Sequence, residues 1–114
     1  MSISILLADD HKIIRDGLRS LLDRQPKIEV IGEAENGRQA VQLARELAPD
    51  VVVMDISMPE LNGMDATRQI LAESPHIKII ALSMHTDKRF IIKMLQSGAS
   101  GYLLKDCAFD ELAR

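Results

Sequence analysis

Cysteine is almost absent: Cys107 stands alone in 114 residues, so no internal disulfide can form, and no His/Cys cluster has the spacing of a zinc site. Aromatic residues are scarce too, at 3%, with two phenylalanines, one tyrosine and no tryptophan. Long apolar runs are missing. The opening MSISILLADD carries no basic segment and sets two carboxylates after a short apolar stretch, which is neither a signal peptide nor a membrane span. A strong charge of one sign is also lacking. With 14 basic against 17 acidic side chains, the formal net charge of −3 provides no broad surface for gripping a phosphate backbone. These residues themselves are therefore not expected to bind nucleic acid, and a reducing, cytoplasmic setting is expected.

What is present is the composition of an ordinary globular domain, 46% hydrophobic and 27% charged, at a length that supports one core. Five short apolar runs recur: Ile3 to Ala8, Ile28 to Ile31, Val51 to Met54, Ile77 to Leu82 and Tyr102 to Leu104. Runs so short and so continuous suit strands buried on both faces of a parallel sheet. Between them lie helical spacings: Ile13, Ile14, Gly17, Leu18, Leu21 and Leu22; then Ala40, Val41, Ala44, Leu47 and Ala48; then Phe90, Ile91, Met94 and Leu95. A fainter pattern runs through Met64, Thr67, Ile70 and Leu71. Asn36, Asn62, Thr86 and Asp106 stand where helix caps belong, with Asp10 a candidate cap for the first helix. Pro49 and Pro75 are placed to end the second and third helices, and Gly98 the fourth. The pattern predicts an α/β fold of flavodoxin-like (βα)5 type, a doubly wound parallel sheet of strand order 2-1-3-4-5. A last helix from about Asp106 reaches Arg114 with no stop signal, so a longer natural protein is expected.

Ligands of open α/β sheets lie outside the carboxyl ends of the strands. There the first strand meets Asp9 and Asp10, the third Asp55, the fourth Ser83, and the fifth is followed by Lys105. The first and third strands are neighbours in the predicted order, so three carboxylates converge and require compensation. Mg²⁺ suits them, being a hard cation held by one or two carboxylates with room left for a phosphoryl oxygen. Ser83 offers a hydroxyl and Lys105 a point charge for the same group. Singly, each residue has an ordinary explanation: a strand-end aspartate often caps a helix or shapes a turn, and Ser83 or Lys105 alone is a common surface residue. Their conjunction at one sheet edge points to phosphoryl transfer onto the central carboxylate.

ILLADDH, VVVMDISMPELNG, IIALSMH and SGASGYLLKD together resemble, in order and along the whole chain, the signature segments of the receiver domain of two-component response regulators. The wording of ALSMHTD and GASGYLLKD is most similar to the NarL/FixJ type, whose receivers usually precede a LuxR-like helix-turn-helix domain. The resemblance implies that Asp55 accepts a phosphoryl group from a sensor histidine kinase. It further implies that Asp10 coordinates Mg²⁺ directly and Asp9 through water, and that the Ser57 carbonyl completes the protein ligands. Ser83 matches the switch hydroxyl, Tyr102 the switch aromatic, and Lys105 the lysine that pairs with phosphoryl oxygens. A homodimer on phosphorylation, with DNA bound through an output domain outside this chain, is the implied result.

One departure stands out. Many receivers have proline after the lysine, in a cis peptide; here Asp106 follows, and a cis bond before a non-proline residue would cost about 3 kcal/mol, so none is expected. The NarL/FixJ type commonly shows this pattern. Pro59 and Gly63 fit a turn after Asp55, while His11 and His85 lie near the site either as modulators of dephosphorylation or as plain solvent-exposed loop residues. Tyr102 is equally suited to packing, and Cys107 reads as a reduced, packed thiol. Two rival functions remain in view: an Asp-nucleophile, Mg²⁺-dependent phosphatase, against which Ser57 stands where a second acid is needed, and a non-phosphorylated flavodoxin-like binding module.

Overall fold

A computed structural model describes residues 2–55, 63–83, 92, 93 and 95–104, with Ser83 and residues 102–104 described by backbone alone. Five strands, β1 (Ile3–Ala8), β2 (Ile28–Ala34), β3 (Val51–Asp55), β4 (Lys78–Ser83) and β5 (Gly101–Leu104), form one sheet in the order β2-β1-β3-β4-β5. Every pairing is parallel, as the strand-helix alternation predicts. The first three connections carry α1 (Lys12–Asp23), α2 (Gly37–Leu47) and α3 (Gly63–Glu73). The expected caps Asn62, Thr86 and Asp106, the helix positions Phe90, Ile91 and Met94, and the final helix lie outside the described residues. So do Pro59, His85 and Cys107. No described helix is long and apolar enough to cross a membrane.

Alternation along the strands divides the core between the two faces of the sheet. Leu6, Ala8, Val52, Met54, Ile79 and Ala81 pack with Ala40, Val41 and Ala44 of α2 and with Ala66 and Ile70 of α3. Ile5, Leu7, Val30, Val53 and Leu82 pack on the other face with Leu18 and Leu22 of α1. The faint pattern around Thr67 and Ile70 is therefore a true helix, with both residues buried. Gly63, expected in a turn, is its first residue.

Several local expectations are met. Asn36 caps α2, its side-chain oxygen accepting from the Gln39 N–H at 2.8 Å, while Gln39 Oε1 accepts from the Glu35 N–H at 2.7 Å. The helix ends just before Pro49, with Ala48 in the left-handed region at φ 47°. Gly98, at φ +114°, also adopts a conformation that side chains resist. Others need correction. The cap of α1 is His11 rather than Asp10, and its side chain makes no capping bond; the Asp9 and Asp10 carboxylates both lie beside the His11 ring. Ile13 does not face the core: it is 85% exposed, and Arg15 is buried on α1 with Leu18 and Leu22. Leu47 and Leu95 are also exposed. Finally, β2 runs on past Ile31 to Ala34 with a register shift opposite Ile5 and Leu6. A Cβ at Gly32 would meet Leu47 Cδ1 at 2.8 Å and Leu6 Cδ1 at 3.2 Å, so the ends of these two leucine side chains lie against the glycine and would have to shift for a larger residue.

Candidate functional site

The parallel register of β1 and β3 pairs Ala8 with Met54, so the residue that follows each of them, Asp9 and Asp55, emerges at the same edge of the sheet. Both are buried, at 1% and 2% exposure, whereas Asp10 is exposed. Ligand atoms of Asp9, Asp10, His11 and Asp55 all lie within 4.8 Å of one another. The start of α1 draws this group together: the His11 N–H donates to Asp9 Oδ1 at 2.8 Å, and His11 Nδ1 lies 3.0 Å from the same oxygen and 3.1 Å from Asp10 Oδ1.

The donor set fits a hard divalent cation. Three carboxylates so close repel one another, and two of them are withdrawn from water, where an uncompensated charge is costly. Oxygen ligands from Asp side chains are what Mg²⁺ takes. His11, whose side chain is 60% exposed, adds one imidazole nitrogen to the cluster.

The remaining expected site residues are placed less fully. Asp55 pairs with Leu82 across β3 and β4, and Ser83 with Leu104 across β4 and β5, so the Ser83 backbone closes β4 one residue beyond the partner of Asp55. Tyr102 pairs with Ala81, two residues before the end of β5. Ser57 and Lys105 lie outside the described residues.

One residue escaped the sequence reading. Arg15 is buried beneath the cluster; its Nη1 donates to the Asp9 carbonyl at 2.6 Å and its Nε to Glu33 Oε1 at 3.2 Å. Glu33 Oε2 accepts from Arg19 Nη1 at 2.7 Å. Burial alone would raise the Glu33 carboxyl, but the hydrogen bonds and charges of Arg19 and Arg15 outweigh it and hold the group below its ordinary value. The available signal was the spacing Arg15–Leu18–Leu22, a helical stripe that begins with a cation.

Comparison with known proteins bears directly on this arrangement. Residues 5–114 match the response regulator receiver domain family. The chain is 42% identical over 110 residues to the transcriptional regulatory protein DegU of Brevibacillus brevis, covering 96% of this chain and 47% of DegU. It is 44% identical over 110 residues to the response regulator UvrY of Escherichia coli strain K12, covering 96% of this chain and 50% of UvrY. It thus spans about half the length of these curated relatives. Among solved structures, a LuxR-family two-component response regulator from an Aurantimonas species superposes with a TM-score of 0.92 at 39% identity, covering 98% of this chain and 80% of that one. The receiver domain of the response regulator NarL from Mycobacterium tuberculosis superposes with a TM-score of 0.93 at 28% identity, covering 98% and 90%. The fold is that of these flavodoxin-like receivers, and the chain belongs to the response regulator receiver domain family.

Proposed function

We propose that this chain is a phospho-acceptor switch in which Asp55 takes a phosphoryl group from a sensor histidine kinase, or from an intermediary phosphotransfer protein, in a Mg²⁺-dependent reaction. The observation that carries the proposal is the convergence of Asp9, Asp10 and Asp55, with ligand atoms within 4.8 Å, at the carboxyl edge of a receiver-family sheet. Asp10, Asp55 and the Ser57 carbonyl would hold Mg²⁺, with Asp9 completing the acidic set. When bound, the cation neutralises charge on the carboxylates and on the transferring phosphoryl oxygens. A carboxylate oxygen of Asp55 forms the new O–P bond in line with the P–N bond of phosphohistidine that breaks. The imidazole departs with the electron pair and takes up a proton. Lys105 pairs its ammonium with the phosphoryl oxygens, and the Ser83 hydroxyl donates to them.

The aspartyl phosphate adds about −1.5 to −2 charges if it behaves like other phosphorylated side chains. Contacts from Ser83 and Lys105 bias an equilibrium between two arrangements of the β4-β5 edge, and Tyr102 turns inward with them. The chain acts as a switch, with transfer to its own aspartate and slow autodephosphorylation as its only chemistry. The natural protein carries a C-terminal LuxR-type helix-turn-helix domain, homodimerises on phosphorylation and controls transcription in the cytoplasm. Two facts support this output: curated relatives are about twice as long, and DegU is a transcriptional regulatory protein.

The test is intact-protein mass after incubation with acetyl phosphate and Mg²⁺, beside Asp55→Asn and EDTA controls. One hydroxylamine-labile phosphoryl adduct, absent from both controls, is the expected result. No adduct from acetyl phosphate or from a competent histidine kinase refutes the proposal.

A further inference from the structure

The backbone of Asp9 is held at both of its polar groups by the end of β2. Its N–H donates to the Ala34 carbonyl at 3.0 Å. Its carbonyl accepts from Arg15 at 2.6 Å, and Arg15 is in turn anchored on Glu33. Arg19 and Arg15 between them engage both Glu33 oxygens. Among the described residues, Arg15 is the only buried basic side chain. That carbonyl belongs to the peptide joining Asp9 to Asp10, so the orientation of its plane determines where Asp10 leaves the strand. The chain then reverses immediately into α1.

We infer that Arg15 is a positioning residue for the divalent cation: by tying the Asp9–Asp10 peptide to Glu33, it presets the Asp10 carboxylate against Asp55. The inference rests on the reading of Asp9, Asp10 and Asp55 as a Mg²⁺ site. Glu33, held below its ordinary carboxyl value, is a charged anchor at neutral pH, and charge-assisted hydrogen bonds are the stronger kind. Partners that orient metal ligands from behind typically change metal affinity by about ten- to hundredfold when removed.

The test is a Mg²⁺ titration of this chain followed by the amide NMR shifts of Asp9, Asp10, His11 and Lys12, for the parent, R15M, R15K, E33Q and D10N. Arg15→Met is expected to raise the Mg²⁺ Kd by about ten- to hundredfold. Arg15→Lys restores one donor for the carbonyl without the fork to Glu33, and it and Glu33→Gln are expected to raise Kd by less, in the same direction. A purely structural arginine would instead lower Tm and leave Kd within about twofold of the parent; that result overturns the inference. Should R15M fail to fold, E33Q decides, a rise of about threefold or more supporting the inference and an unchanged Kd overturning it. If the parent shows no saturable shift that D10N removes, the Mg²⁺ site itself fails and the positioning role with it. The two failures are thus distinguishable.

Discussion

Replacing Asp10 with asparagine is expected to move stability in opposite directions with and without Mg²⁺. Asp10 is the informative choice among the carboxylates: it is exposed, whereas Asp9 and Asp55 are buried and Asp9 also accepts the His11 N–H. Two unit charges 4.8 Å apart repel by about 0.9 kcal/mol at the dielectric of water and by about 3.5 kcal/mol at an effective value of 20. Solvent reaches Asp10, so the lower end applies. Removing its charge should stabilise the metal-free chain by about 1 kcal/mol. With Mg²⁺ at a hundred times its Kd the parent gains about 2.7 kcal/mol by mass action. D10N, deprived of a ligand, should gain little, and the order of stability reverses. Urea unfolding followed by far-ultraviolet circular dichroism, in EDTA and in Mg²⁺, measures all four values. A pH near 8 keeps the experiment above the usual range of imidazole protonation. If D10N is less stable than the parent in EDTA, the carboxylates do not repel one another as the distances require. If its Mg²⁺ dependence equals the parent's, Asp10 is not a ligand.

Three further outcomes are expected. Ala48 holds a left-handed backbone that glycine adopts without strain, so Ala48→Gly should raise stability by about 0.5–1 kcal/mol in urea unfolding. Asn36→Ala leaves the Gln39 N–H without its cap and should cost about 1 kcal/mol by the same assay. Because hydrogen bonds from Arg19 and Arg15 lower the Glu33 carboxyl below 4.5, its contribution is present above that pH and is lost as pH falls through the folded value. The urea midpoint of Glu33→Gln should therefore fall less than the parent's between about pH 5 and pH 3.

The strands were legible because burial on both faces leaves an unbroken apolar signature, as in VVVM of β3. The limits of that signature are equally physical. β2 runs three residues beyond its apolar stretch because Gly32 accommodates Leu6 and Leu47 and Glu33 is compensated by two arginines, neither of which hydrophobicity registers. On α1 the same rule misplaced the face: Ile13 points to solvent while Arg15 is buried, its guanidinium satisfied by the Asp9 carbonyl and by the Glu33 carboxylate on β2. The carboxylates of the site could be read as neighbours once β1 and β3 were placed side by side. The hydrogen bonds that orient them depend on β2, and a pattern local to one segment carries no trace of a second.

The most direct test of the account is the position of the phosphoryl group on the chain. Borohydride reduces an aspartyl phosphate to homoserine, so a chain treated with acetyl phosphate and Mg²⁺, reduced, digested and sequenced by mass spectrometry reports the modified residue. The account predicts reduction at Asp55 alone, and none when EDTA is present. Reduction at Asp9 or Asp10, or labelling indifferent to EDTA, would contradict it.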